Sequence, residues 1–330
     1  MAKRKYYMVL DTETATLPFA NKIAKTPKEK QAIAIAKPLI YDIGWVIVDR
    51  KGNPIKAENY LVDEIWNYPD VFNTAYYKDK RPIYEQMIEK GEIEVKSWWD
   101  IIRLFKDDIA WCDMATAFNA CFDFKRAFPF TSRWMDNSQC PWFNQWLKLQ
   151  YDSCKAIVAG TADAKNPEYL TPTVTFYGTE FKISDLRHLA CRDLINHGKY
   201  KNFCLKHAML TDSSIYFKTT AESTYRYLSR NSDFIESHTA LDDAWIESLI
   251  LQKLLRKGKV KPELAAFPER LLGFTYDYVA DKPKYIPVVL DAMEGYVGQH
   301  GGLDDPDNGF TKRVCNKHRY LKSILADIAD

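Results

Sequence analysis

The feature that most constrains the fold is a short apolar run, Tyr6–Leu10, that ends directly in two carboxylates, Asp11 and Glu13. Five consecutive apolar residues next to charged ones are typical of a buried β-strand. Because side chains alternate along a strand, the two acids lie on the same face and repel each other. A divalent cation would remove that repulsion, and carboxylate oxygens suit Mg²⁺ or Mn²⁺. The alternative is a strand that ends in a solvated loop, with both acids in water.

Two later segments place further acids near the starts of predicted helices. The segment 118–123 reads FNACFD, follows a short apolar run, and carries Asp123. The segment 238–244 reads HTALDDA and opens a helix that carries Asp243. Asp242 lies about 100° around that helix from Asp243, so it is predicted to face solvent. Apolar residues at three-and-four spacing predict the buried stripe of this helix: Leu241, Ala244, Trp245, Leu249 and Leu255.

Together the three segments read D-x-E, N-x-x-F-D and H-x-A-x-x-D-A. This set resembles the DEDDh branch of the 3′–5′ exonuclease superfamily, which contains the proofreading subunits of bacterial replicases and ribonuclease T. The similarity covers roughly residues 5–256, and all four acids and the histidine occur in the family's order. The segment 225–241 is also similar to stand-alone exonucleases encoded by bacteriophages.

The resemblance implies an α/β protein with a ribonuclease H-like exonuclease fold, a central mixed five-stranded sheet flanked by helices. The first three strands resemble the meander of that fold, because the sequence RKGNP at 50–54 is typical of a hairpin turn. Strands are predicted at 6–11, 39–49, 55–63 and 114–118, and residues 149–158 are predicted to supply the fifth strand and its helix.

The exonuclease domain is expected at residues 1–258, with insertions at about 15–38 and 136–182. Residues 259–330 form a C-terminal extension of unknown role. The connection 15–38 is rich in lysine, and two interpretations stay open. It is either a solvated loop with a short helix, or a flap that touches a polyanionic substrate near the first strand.

Smaller features of the sequence give further expectations. Thr173–Tyr177 is predicted as one strand of a small hairpin, and Ser184 as the N-cap of a helix at 185–195. Cys315 and His318 have a spacing that metal ligands use, but no second pair stands nearby, so a zinc site is not favoured.

Composition narrows the class of protein. The chain has 330 residues, 46% of them hydrophobic and 27% charged, which is typical of a folded globular protein. A net charge of +2 excludes a general polycation, so nucleic-acid binding would need a local basic patch or a metal site. Seven scattered cysteines predict free thiols in a reducing cytoplasm. The sequence shows no long apolar run and no signal peptide, so we expect a cytoplasmic protein without a membrane partner, in the host cytoplasm if a phage encodes it.

The resemblance also implies a catalytic arrangement. Two ions, Mg²⁺ or Mn²⁺, would bind Asp11, Glu13, Asp123 and Asp243, and a pair of such ions can carry phosphodiester hydrolysis. Asp11 would bridge both ions, Glu13 and Asp243 would hold the ion that activates water, and Asp123 would support the second. The family uses the histidine at the position of His238 as the general base, and histidine titrates close to neutral pH.

Substrate contacts follow from the same resemblance. Family members hold the terminal nucleotide with residues just after D-x-E and near the second motif. Leu17 is expected to wedge against the terminal base, and Asn119 to lie near the scissile phosphate or sugar. Many relatives have glycine at the position of Thr16. Many also have histidine at the position of Phe118, and the Phe118 ring could stack on a base instead. The predicted contacts are Thr14, Ala15, Thr16, Leu17, Phe118 and Asn119.

The implied activity is a metal-dependent 3′–5′ exonuclease that releases nucleoside 5′-monophosphates from a free 3′ end. Single-stranded DNA is the favoured partner over RNA, and replication proteins are possible further partners. One alternative is an exoribonuclease that trims RNA or short oligonucleotides. Another is a non-catalytic nucleic-acid or polymerase-binding module. Non-catalytic relatives usually lack one of the acids, and this chain retains all four.

Overall fold

A computed structural model describes residues 5–161, 173–207, 209–211 and 216–257, with short pieces between 286 and 326. Cys315 and the connection 162–172 lie outside the described residues, so the predictions for them stay predictions. The chain divides into two compact units. The first is Met1–His188 with Ile235–Gly273, and the second is Leu189–Phe234 with Phe274–Asp330. The predicted boundary at 258 is outside the described residues and stays a prediction.

A mixed seven-stranded sheet forms the centre of the first unit. Its strands are β1 (Tyr6–Ala15), β2 (Leu39–Asp49), β3 (Pro54–Val62), β4 (Glu94–Lys96), β5 (Met114–Ala117), β6 (Thr173–Phe176) and β7 (Thr179–Asp185). They lie in the order β4-β3-β2-β1-β5-β7-β6. Strands β1, β2 and β3 form an antiparallel meander, β5 runs parallel to β1, and β7 runs parallel to β5. At the edges, β4 is parallel to β3 and β6 is antiparallel to β7.

The α/β class is confirmed, but the sheet has seven strands rather than five. The predicted hairpin within 160–182 is present as β6 and β7. The strand predicted at 149–158 is wrong, because this segment belongs to a helix, Phe143–Val158. Leu147, Tyr151, Cys154 and Val158 recur there every three or four residues, which is a helical and not a strand period.

The described helices flank the sheet in the first unit and make up much of the second. Ser97 accepts a hydrogen bond from Asp100 N and caps its helix, as predicted. The predicted Ser184 cap is wrong, because Ser184 lies within β7, and the Asp185 carboxylate accepts from His188 N instead. The helices of the first unit are α1 (Ala20–Ile23), α2 (Pro27–Ala36), α3 (Asp63–Trp66), α4 (Pro69–Phe72), α5 (Arg81–Glu89), α6 (Trp98–Ile109), α7 (Ala120–Phe122), α8 (Phe128–Ser138) and α9 (Phe143–Val158), followed by α10 (Leu186–Ala190) at its boundary. The second unit contains α11 (Gly198–Lys206) and α12 (Ala221–Ser229), and the first unit resumes with α13 (Ala240–Arg256).

Helix α13 lies directly on the sheet because two glycines leave room for it. A Cβ atom at Gly44 would meet backbone atoms of Ala240 and Leu241 at 2.4–2.7 Å. A Cβ at Gly52 would meet Gln252 at a similar distance. The predicted buried stripe is partly wrong, because Leu249 is 39% exposed whereas Glu247 is buried. The buried residues of the helix are Ala240, Asp243, Ala244, Ile246, Glu247, Ser248, Ile250, Leu251 and Leu254.

Hydrogen bonds within the second unit cap α12 and link it to α11. Thr220 and Ser223 form a capping box at the start of α12, and Tyr200 Oη donates to Ser223 Oγ. His318 Nε2 lies 2.7 Å from Glu294 Oε1. Across the described parts of both units, the six cysteines form no disulfide with one another. Within the same parts, no helix combines the length and apolarity needed to span a bilayer.

Candidate metal and catalytic centre

Strand β1 places the first two acids opposite residues of β2 on the face that carries α13. In the antiparallel register, Asp11 pairs with Gly44 and Glu13 pairs with Asp42. Gly44 is where the backbone of α13 approaches most closely, so the acids of β1 lie beside the start of that helix. The strand continues to Ala15 and does not end at Asp11 as predicted. Both carboxylates therefore project from regular sheet rather than from a loop.

Three of the predicted residues come together in one compact group. Ligand atoms of Glu13, His238 and Asp243 all lie within 4.8 Å of one another. His238 Nδ1 is 3.7 Å from Asp243 Oδ2 and 3.8 Å from Glu236 Oε2. Asp242, predicted to face solvent, is exposed, whereas Asp243 is only 6% exposed. The spacing between His238 and Asp243 thus places both side chains beside Glu13 of β1.

Asp123 belongs to the wider acidic group but not to the compact one. It begins a π-helical turn, Asp123–Ala127, between α7 and α8. Pro129 follows this turn, and proline cannot donate the regular helical hydrogen bond, which explains the irregularity. Thr12 Oγ1 donates to Asp123 Oδ1 at 2.6 Å. Burial raises the pKa of Asp123 to about 7, although the Thr12 hydrogen bond acts in the opposite direction.

A fifth acid, Glu247, was not predicted as a site residue. It is 2% exposed and lies one helical turn after Asp243, on the same side of α13. Its Oε2 accepts from the Phe118 backbone N–H at 3.1 Å. Burial raises the pKa of Asp11, and Glu247 is the neighbouring charge that raises it most. The spacing of four residues from Asp243 is the sequence pattern that could have identified it.

The acids of the centre repel one another in a poorly solvated place. Burial is the main reason that the pKa values of Glu13, Asp243 and Glu247 are raised, and for Glu13 and Glu247 the charges of neighbouring acids add to it. For Asp243, the nearby His238 counteracts part of this effect. Asp243 Oδ1 is buried and has no hydrogen-bond partner within the part of the chain that the structure describes. A buried carboxylate oxygen without a partner is costly, so this atom marks a position where a cation is stabilising.

Asp42, also missed by the sequence analysis, connects β2 to the start of α13. It is fully buried, and its Oδ2 accepts from Tyr84 Oη at 2.7 Å and from Ala240 N at 2.8 Å. A carboxylate at a helix N-terminus satisfies a free N–H group and interacts favourably with the helix dipole. Burial raises the pKa of Asp42 to about 7. An acid in the middle of the apolar run of β2 was the sequence signal for this role.

A short segment before α5 holds His238 in place. His238 has a φ of 53°, a left-handed conformation that is uncommon for residues other than glycine. The Tyr77 ring stacks on its imidazole with centroids 4.4 Å apart and planes 13° apart. Lys80 Nζ donates to the carbonyl oxygens of Ser237 and His238. Ring and backbone of His238 are therefore both fixed from the same neighbouring segment.

The predicted substrate contacts divide into two groups. The side chains of Ala15, Thr16 and Leu17 are buried, at 5% exposure or less. This corrects the expectation that Leu17 wedges against a base, because the chain after Ala15 turns into the core. Thr14 and Phe118 are half-buried and Asn119 is exposed, so these three side chains reach solvent near the acids.

Comparison with known proteins adds no relative to this picture. No family model matches the chain, and a search of curated proteins gives no match. Membership of the DEDDh branch accordingly stays a prediction from the motifs.

Proposed function

We propose that the chain is a metal-dependent 3′–5′ exonuclease that hydrolyses the terminal phosphodiester of a nucleic acid, with single-stranded DNA as the favoured substrate. The observation that carries the proposal is the compact group of Glu13, His238 and Asp243, with Asp11 close enough to interact electrostatically with both acids. Lys80 interacts electrostatically with Glu13 and Asp243 and lowers their pKa values, so one lysine lies among several acids. The acids that raise the pKa of Asp11 come from β1, from the turn before α8 and from α13.

The residues present fit a divalent metal. All the acidic donors are carboxylate oxygens, which Mg²⁺ and Mn²⁺ prefer. Asp243 Oδ1 is buried and has no hydrogen-bond partner among the described residues. Burial and the charges of neighbouring acids raise the pKa values of Asp11 and Glu13, and a bound cation would offset that repulsion. Asp11, Glu13 and Asp243 would hold the metal, with Asp123 and Glu247 beside them. Bound cations would supply charge neutralisation at phosphorus and a more acidic water molecule.

His238 has the position of a general base. Its imidazole is 31% exposed, so one edge reaches solvent and a substrate water. His238 Nδ1 lies within 4 Å of a carboxylate oxygen of Glu236 and of Asp243. The stacked Tyr77 ring limits rotation of the imidazole, which preserves its alignment between turnovers.

The sheet supports a ribonuclease H-like assignment as part of the same proposal. The meander β1–β2–β3, continued by parallel β5 and β7, agrees with the fold that the motifs imply. Strands β4 and β6 are then short additions at the two edges.

The test is release of monophosphate from a labelled 3′ end in Mg²⁺, on single-stranded DNA and RNA side by side. Asp11→Ala should lower the rate by more than about a thousandfold, because the metal site loses a central ligand. Asp242→Ala is the matched control, since this acid adjoins Asp243 but faces solvent and should leave the rate within twofold. No release from either polymer at several Mg²⁺ and Mn²⁺ concentrations would refute the proposal. Faster release from RNA would transfer it to the exoribonuclease alternative.

A further inference from the structure

The connection between β1 and β2 concentrates positive charge that the rest of the chain does not have. Residues 15–38 contain five lysines and one glutamate, which gives a net charge of +4. The whole chain has a net charge of +2, so the other residues sum to −2. Four of these lysines are exposed: Lys22, Lys25, Lys28 and Lys30. We call these four residues the lysine platform.

The platform rests on ordered helices. Thr26 and Glu29 form a capping box at the start of α2, so the Glu29 carboxylate accepts backbone N–H groups of Lys25 and Thr26. The connection is anchored by Leu17, Ala20, Ala24 and Ile33, each at most 3% exposed. Helix α9 packs against α1 and α2, with the rings of Phe19 and Tyr151 5.3 Å apart. The connection is therefore two ordered helices rather than a loop with one short helix, and its contact with a polyanionic substrate stays a prediction.

The connection that carries the platform begins at the end of the sheet where the acids lie. Ala15, two residues after Glu13, pairs with Leu39, so the connection leaves and re-enters the sheet at adjacent strand ends. Thr16 Oγ1 donates to Lys37 O, which closes the base of the connection. Thr16 N donates to Thr74 Oγ1, which links the same base to the segment that carries Tyr77. The connection that carries the lysine platform therefore starts and finishes at the end of the sheet where the acids lie.

We propose that the lysine platform binds the sugar–phosphate backbone of the single strand several nucleotides away from the 3′ end that enters the acidic centre. This inference rests on the proposed function and adds a second contact region to it. A nucleic-acid strand carries one negative charge per nucleotide, so several exposed ammonium groups can bind it without reading its sequence. The acidic centre repels a polyanion until cations bind, and a cationic surface beside it compensates for that repulsion.

The experiment compares strand lengths in the full-length protein. Fluorescein-labelled dT15 and dT3 are bound, with anisotropy as the readout, at 50–200 mM NaCl in the Asp11→Ala background, which prevents hydrolysis. The platform variant changes all four lysines to glutamine. The matched control removes four exposed cations elsewhere in the same unit: Arg50, Lys51, Lys90 and Lys253. Circular dichroism verifies that both variants keep their helices.

The platform variant should bind dT15 at least about tenfold more weakly, whereas dT3 binding should stay within twofold. The slope of log affinity against log salt should fall by roughly 2 to 3, since each lost phosphate contact on a single strand contributes about 0.7. An unchanged slope, or an equal loss in the control, would overturn the proposal. Equal binding of polyglutamate would also overturn it, because the partner would then be an acidic protein segment.

The two proposals fail separately. If the parent protein hydrolyses no oligonucleotide but the platform variant loses dT15 affinity and slope, the binding surface stands and the exonuclease assignment falls. If the parent protein hydrolyses dT15 and the platform variant binds and hydrolyses it as well as the parent, the platform falls alone.

Discussion

Gly44→Ala is the substitution that most directly tests how α13 is held against β2, beside the acids of β1. A Cβ at this position would lie 2.4 Å from Leu241 N and 2.7 Å from Ala240 C. Ordinary contacts begin at 3.4 Å, so the start of α13 has to move away from β2 by about 1 Å. The obstructing atoms are backbone atoms, and a rotamer change cannot relieve the contact.

The displacement has two energetic consequences. Overpacking of this kind costs about 1–3 kcal/mol. The hydrogen bond from Ala240 N to Asp42 Oδ2 is 2.8 Å long, and a shift of about 1 Å would break it. The buried carboxylate would then lack one donor, which costs about 1–3 kcal/mol. Together we expect a loss of roughly 2–6 kcal/mol in the free energy of unfolding. Asp243 moves with the helix, and a misplacement of about 1 Å at a catalytic centre can cost about a hundredfold in rate.

Urea denaturation followed by tryptophan fluorescence measures the first effect, and single-turnover release of monophosphate measures the second. Gly198→Ala is the control, because a Cβ there meets nothing within 4 Å and the position is the first residue of α11. The control should be neutral or slightly stabilising, since alanine favours helix. If Gly44→Ala matched the control in unfolding midpoint and kept its rate within twofold, the close contact between α13 and β2 would be refuted.

The remaining predictions concern charge and orientation at the same centre. Glu247→Gln should stabilise the metal-free protein at pH 8, because it removes a buried repelling charge, yet it should weaken Mg²⁺ binding by about tenfold. If calorimetry showed no change in the unfolding temperature or in the Mg²⁺ affinity, the role given to this acid would be contradicted. Tyr77→Leu should lower kcat by about tenfold with KM within twofold, whereas Tyr77→Phe retains the ring over His238 and should match the parent; equal losses in both would exclude stacking as the cause. The pKa of Asp42 is raised to about 7 from an ordinary 3.8, so its contribution to stability is complete below pH 3.8 and is lost as the pH rises through 7. The urea midpoint of the metal-free protein should therefore fall between pH 5.5 and pH 8, and Asp42→Asn should reduce that fall. Added Mg²⁺ should raise the unfolding temperature more at pH 8 than at pH 6, because protons compete for the same carboxylates; a shift independent of pH would count against those ligands.

Local sequence patterns predicted the elements that depend on neighbours in the chain. The apolar run of β1, the hairpin between β2 and β3, and the Ser97 cap of α6 follow from alternation, turn residues and capping chemistry, which act over a few residues. The same local reasoning failed at 149–158, where the short apolar pattern was assigned to a strand although its period is helical. It also failed at α13, where a stripe of large apolar residues was preferred and the buried Glu247 was missed.

The sequence by itself indicated most acids and the histidine of the proposed centre, although not Glu247, because the motifs are short and their spacing is local. Only the tertiary structure decided which of them meet. Glu13, His238 and Asp243 converge because Gly44 admits α13 to the sheet, and Asp123 is drawn toward Thr12 by a contact between residues 111 positions apart. Burial of Asp42, Glu247 and Leu17 likewise depends on which surfaces pack together. The neighbouring residues in the sequence do not determine whether a side chain is exposed to solvent.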